Sequence, residues 1–296
     1  MRNRLLTWVA VFALLLALIL LVDFASGRAL QGQAITWLIF VAIGAVVIFI
    51  IYFATSDNRA WEVGTREVVY MALGAALYGV LSVITNTIPM PSVSQVALRP
   101  PVVIPIFFGY VFGPVVGFFT GAFGNIIGDF LSGWGVYPAW DMGNGLMGFI
   151  PGLVLLFADR KRSLNTLLIV TIVLLAIFAG LVFLNPQVVG PWTGELEDFS
   201  FWSWAAIIAA ILVIAGRFVL ESVNLDVAAA EIWGSLGVIV GIGFAAIADI
   251  WINGYSFMTA IIGEFMPAAV PNILNMAILL PILMVAYYAV VGRTGR

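Results

Sequence analysis

The 296-residue chain contains no cysteine and no histidine. Without cysteine there is no disulfide, no thiolate nucleophile and no thiolate metal site. Without histidine the usual general base and the commonest metal ligand are gone. Neither an HExxH pair nor a Ser–His arrangement can exist. Lysine occurs once, at Lys161, so there is no GxxxxGK[ST] phosphate loop and no ATP site of that kind. Charged residues make up only 9% of the chain, against about a quarter in a soluble domain. The formal charge of −3 and the absence of a long basic run argue against nucleic acid as a partner. The chain therefore reads as a non-enzyme, with no cofactor and no metal expected.

What is present is apolar sequence: 63% of the residues are hydrophobic. Runs of about 20 apolar residues can each cross a bilayer as a helix, whereas a β-barrel would show alternation. The expectation is an all-α, polytopic membrane protein with about ten transmembrane helices. The candidate spans are 5–22, 34–54, 68–88, 142–158, 164–184, 201–220, 232–252 and 265–291, with two more in 101–131. That last run is too long for one ordinary span and is broken by Gly113-Pro114, which predicts a tight helical hairpin.

The arginines test this count. With the N-terminus inside, the inner segments hold Arg2, Arg4, Arg59, Arg66, Arg160, Lys161, Arg162, Arg217, Arg293 and Arg296. The outer segments hold only Arg28 and Arg99. This positive-inside bias favours an N-in, C-in arrangement. Ala25-Ser26-Gly27 after the first span would suit a cleaved signal, but the apolar run exceeds the usual 7–15 residues of such a segment. A retained helix is expected.

The outer connections carry the irregular sequence: PMPSVSQVALRP (89–100), SGWGVYPAWD (132–141), the acidic NPQVVGPWTGELEDFS (185–200) and NGYSFMTAIIGE (253–264). Ionised carboxylates at membrane depth are costly and rarely face lipid. Asp129, with Asn125 one turn before it, either faces an outward cavity or caps a neighbour at the headgroup level. The same choice applies to Asp249. Trp134, Tyr137 and Trp140, with Asp141 and Asn144, converge on one loop and helix start. Such aromatics anchor at membrane interfaces or stack on planar ligands, and as a cluster they favour ligand contact. Glu264, Asn272 and Asn275 mark the last span. Arg99 either meets a carboxylate ligand or pairs with an acid. A weak parallel echo relates Gly117, Gly121 and Asp129 to Gly237, Gly241 and Asp249. On the third span, Ala72, Ala76 and Gly79 form a small-residue stripe, which permits close approach of another helix, within the chain or from a partner.

Four segments carry a family resemblance: MALGAALYGVL, FGPVVGFFTGAFGNIIGD, GNGLMGFIPG and the terminal GEFMPAAVPNILNMAILLPIL. Together they resemble the substrate-binding S components of energy-coupling factor (ECF) transporters, well over 65–151 and weakly over the last stretch. The resemblance implies capture of a vitamin, vitamin precursor or similar micronutrient from outside. It also implies a transmembrane coupling subunit and two ABC ATPases as partners, in a bacterial or archaeal cytoplasmic membrane. Ala72, Ala76 and Gly79 would then be the docking face. Arg99, Asn125, Asp129, Trp134, Tyr137, Trp140, Asp141, Asn144, Glu264 and Asn272 would form the pocket.

The chain departs from that family in length, since the family core has six spans. Residues 1–60 are then two added helices, 61–162 the first four core helices, 163–225 an inserted hairpin and 226–296 the last two core helices. The competing assignment takes the seventh and eighth spans as core. The competing function is a stand-alone proton- or sodium-coupled permease using Asp129 or Asp249.

Overall fold

A computed structural model describes residues 2–27, 34–157, 159–191 and 193–293. Arg28 and Arg296, which entered the charge count, lie outside the described residues, as does Ala158 at the end of the sixth predicted span. The described residues contain ten α-helices: α1 (Arg2–Ala25), α2 (Ala34–Ala54), α3 (Thr65–Thr85), α4 (Val103–Phe112), α5 (Pro114–Leu131), α6 (Pro138–Gly152), α7 (Arg160–Leu184), α8 (Phe201–Val223), α9 (Leu225–Ile252) and α10 (Met266–Arg293). Each falls at a span expected from the sequence.

Eight of these helical segments are long and apolar enough to cross a membrane. The exceptions are α4, with 10 residues, and α6, with 15. Each is continued by a 3-10 turn, Pro100–Val102 before α4 and Leu153–Leu156 after α6. The chain before α4 (86–99) and before α6 (132–137) stays irregular and folds over the bundle instead of extending either helix.

The predicted break between α4 and α5 is present. Gly113 has φ 106°, a region that a side chain rarely tolerates, and Pro114 opens α5 at the position where its missing N–H is harmless. The two arms return on each other with Gly109 against Gly117.

The centre of the bundle is α5, α6 and α9. Nearly every residue of α6 is buried, as are most of α5 and α9. Helix α6 packs on both α5 and α9, with α3 covering α5, and α10 covering α9. Helices α7 and α8 pack as a pair, and α8 lies against α9 and α10. Helices α1 and α2 close the remaining side against α5 and α6. There Trp8 packs on Phe118 and Phe149 at centroid distances of 5.7 and 5.9 Å. Large apolar side chains such as Leu21, Phe24, Ile35 and Ile50 remain exposed on the outer face, as expected of a surface whose solvent is lipid.

The two ends differ. At one, Arg4 donates to the Ser56 and Asn58 carbonyls and pairs with Glu62 at 2.6 Å, beside Arg59 and Arg66. At the other, the irregular segments meet. Asn86 donates to Ser132 (2.9 Å), the Val93 N–H to the Gly263 carbonyl (2.8 Å), and Trp202 Nε1 to the Pro91 carbonyl (3.3 Å). An antiparallel ribbon, β1 (Gln187–Val189) with β2 (Leu196–Asp198), also forms here. This small departure from an all-helical chain uses the acidic segment 185–200.

Candidate ligand-binding cavity

Under those irregular segments lies a cavity of about 360 Å³. One wall is built on α5. Asn125 and Asp129 are four residues apart and so share a face. Arg99, just ahead of α4, binds both: its Nη2 is 2.5 Å from Asp129 Oδ1, and its Nη1 donates to Asn125 Oδ1. Its Nε donates to Asn86 Oδ1 at 2.9 Å, and its guanidinium lies 5.4 Å from the Trp134 ring centroid. Burial alone would lower the Arg99 pKa, but Asp129 outweighs it and holds the group charged, above its usual value.

Asn125 completes this network. Its Nδ2 donates to Asp129 Oδ2 (3.0 Å) and to Asp141 Oδ1 (2.8 Å), so both of its amide protons are used. Asp141 is fully buried in the first turn of α6 and stands behind the wall rather than in it. It therefore supports the wall through Asn125, a correction to the expectation that it faces a ligand.

The second wall is α6. Trp140 and Asn144 are again four apart. Asn144 Nδ2 donates to the Trp140 carbonyl (2.9 Å), and its Oδ1 accepts from Tyr78 Oη of α3 (2.7 Å). Trp140 Nε1 donates to Asp249 Oδ2 of α9 at 2.8 Å. Tyr137 and Trp134 line the adjoining loop. The third wall brings Glu264 and Asn272 from the approach to α10 and from α10 itself. Glu264 sits in a π-helical turn, Thr259–Phe265. Such turns redirect side chains and recur at functional sites.

The cavity thus gathers Arg99, Asn125, Asp129, Trp134, Tyr137, Trp140, Asn144, Glu264 and Asn272 from segments scattered along the chain. It also includes Asp249, Asn253, Tyr255, Ser94, Gln95 and Trp37, which were not among the expected pocket residues. Asp249 carried a signal, the glycine–acid echo with Asp129. Trp37 carried none, because its position depends on how α2 packs.

On α3, Ala72 and Ala76 are exposed, next to exposed Leu73 and Leu77. Gly79 is not part of that surface. It is buried against α5, where a Cβ would strike Ile127 and approach the Gly124 carbonyl. This corrects its expected place in the docking stripe: the small residue is used for packing within the chain.

Residues 62–189 match the family model described as "ECF-type riboflavin transporter, S component". The matched stretch is thus similar to the S-component family over somewhat less than half of the chain. It runs from the approach to α3 through α7 and contains the Arg99, α5 and α6 walls. A UPF0397 protein of Aliivibrio salmonicida is 34% identical over 103 residues, covering 34% of this chain and 54% of the relative. One of Vibrio atlanticus is 37% identical over 91 residues, covering 30% and 47%. One of Aliivibrio fischeri is 36% identical over 95 residues, covering 31% and 49%. The chain spans about half the length of the curated relatives it matches. No solved structure matches. The S-component match and the apolar helices together make this a multi-pass protein of a prokaryotic cytoplasmic membrane.

Proposed function

We propose that the chain is the substrate-capture subunit of an energy-coupling factor importer for a vitamin, vitamin precursor or similar micronutrient. The observation that carries this is the cavity, whose Arg99, α5 and α6 walls lie within the stretch matching the S-component family. A partly enclosed site of this size, with aromatic faces and a few converging polar groups, suits a small planar molecule. The cavity opens among the segments that the arginine distribution puts outside, in keeping with N-in, C-in and capture from the outer face. The riboflavin of the family description makes that flavin one candidate cargo.

The reading of α7 and α8 as an inserted hairpin, with 226–296 completing the core begun in 61–162, is supported by the lining of the cavity: α9 and the approach to α10 contribute to it and no described residue of 163–225 does. The family match continues through α7 and supports the competing assignment with α7 in the core. The 1–60 addition packs beside the core and contributes Trp37. The exposed Ala72–Ala76 face of α3 is the proposed meeting surface for the transmembrane coupling subunit, which in turn joins two ABC ATPases. Small side chains let a partner helix approach closely in lipid, where hydrophobic drive between helices is weak.

The test is uptake in cells carrying this chain with and without the partner ATPases, at constant ion gradients. Uptake should vanish without the ATPases. Replacing Ala72 and Ala76 by Phe should abolish uptake while ligand binding by the purified chain is kept. Uptake by this chain alone, abolished by an ionophore, would establish the permease instead.

A further inference from the structure

The cavity's charges do not balance. Arg99 is the one basic residue among the described residues lining it, and that guanidinium is committed to Asp129, Asn125 and Asn86. On the far side Asp249, from α9, and Glu264, from the helical turn packed against it, both line the cavity. Asp249 accepts from Trp140 Nε1. Glu264 is only 1% exposed, and its Oε2 has no hydrogen-bond partner. An unanswered carboxylate oxygen in a dry site is costly, and one proton taken up by the two acids would still leave one negative charge. A native site that leaves such an atom open is arranged for something that arrives.

Three further features point the same way. The π-helical turn that holds Glu264 is pinned by the Val93 N–H on the Gly263 carbonyl, so the side chain is placed by an irregular element rather than by chance along a helix. Aromatic side chains of Trp37, Trp140 and Tyr255 line the cavity with the acid pair, and ring faces attract cations. Among the described residues, no group of three or more acidic side chains converges as a metal's ligand set would. The pair suits an organic group with N–H donors.

We infer that the cargo carries a positively charged nitrogen group, of the amidinium or aminated-heterocycle type, which seats against the Asp249 and Glu264 carboxyls with its ring beside Trp140. This rests on the capture function proposed above and narrows its substrate class, setting aside the uncharged flavin named there.

An isosteric series isolates the charge. Benzamidine (cation), benzamide (neutral) and benzoate (anion) share one ring and differ in the group offered to the acids. Binding to the full chain in detergent is read by thermal shift and by ligand-observed NMR at millimolar concentration. Benzamidine should bind and the other two should not. Glu264→Gln and Asp249→Asn should each weaken benzamidine about tenfold or more, equivalent to about 1.4 kcal/mol. Each ligand-free variant should melt no lower than the parent, because an uncompensated charge has been removed. Equal or better binding of benzamide or benzoate, no binding of benzamidine, or an undiminished benzamidine affinity in both variants overturns the inference. So does failure of both variants to fold, which would make the pair structural. ATPase-dependent uptake of an uncharged cargo would overturn this inference and leave the capture function standing. Uptake independent of the ATPases would overturn the capture function and leave the cation site standing.

Discussion

Gly121 of α5 and Gly241 of α9 are pressed against consecutive backbone carbonyls of α6, those of Asn144 and Gly143. One turn away, Gly117 and Gly237 repeat the arrangement against the carbonyls of Gly148 and Met147. The faint repeat in the sequence therefore has a physical meaning. Two helices use glycines at the same spacing to lie close on a shared third helix, and each carries an acid, Asp129 or Asp249, to the same cavity.

A side chain at either glycine has nowhere to go, because its obstacle is backbone. Gly121→Val and Gly241→Val should each lower stability by about 1–3 kcal/mol, the usual range for overpacking, or more. Gly180→Val in α7, where a Cβ meets nothing within 4 Å, should leave the melting temperature in detergent unchanged. Equal melting of all three variants would contradict the packing described.

Arg99 and Asp129 form the only strongly buried pair among the described ion pairs of the cavity, with side chains 14% and 4% exposed. Removing the guanidinium leaves a carboxylate without its counter-ion, a loss of about 3–5 kcal/mol in comparable buried pairs. Arg99→Gln should therefore destabilise strongly, and Arg99→Gln with Asp129→Asn should destabilise less than the sum of the two single changes. A double-mutant cycle on thermal unfolding measures this; strict additivity would show that the pair is not coupled.

Tyr78 links the outer helix α3 to the cavity through its hydrogen bond to Asn144. Tyr78→Phe keeps the ring and removes the donor, leaving the Asn144 oxygen without it at a cost of about 1–3 kcal/mol. Lower stability and weaker ligand binding should appear together, since Asn144 lines the site. Ligand affinity unchanged to within error would place Asn144 outside recognition.

The orientation is open to direct labelling, because the chain has no native cysteine. Thr193→Cys lies in the exposed turn of the β-ribbon and Asp57→Cys in the exposed link after α2. In intact cells a membrane-impermeant maleimide should label the first and reach the second only after permeabilisation. The reverse pattern would invert the topology and put the cavity on the inner face.

Much of the fold was legible because lipid imposes a coarse rule: each crossing must be a long apolar helix with its backbone satisfied internally. Run lengths, Gly113-Pro114 and the arginines follow from that rule. Lengths of α4 and α6 did not, since both are cut short by segments whose hydrogen bonds go to distant partners such as Ser132 and Gly263. Much of the cavity was legible for a related reason. Polar and aromatic side chains at such depth are scarce, so Asn125, Asp129, Trp140 and Glu264 stood out singly. Gly79 misled because a small residue that receives a partner and one that receives a neighbouring helix look alike in one dimension.

By itself the sequence determined that this is a many-helix membrane protein without thiol, imidazole or nucleotide-loop chemistry, because those depend on composition and run length alone. The tertiary structure alone decided which residues meet. It joined Arg99 to Asp129, placed Asp141 behind Asn125, set Asp249 beside Glu264 and brought Trp37 to the same cavity. These relations depend on how helices and the segments between them pack in three dimensions, and no local pattern of residues encodes the distance between two helices that glycine allows to touch.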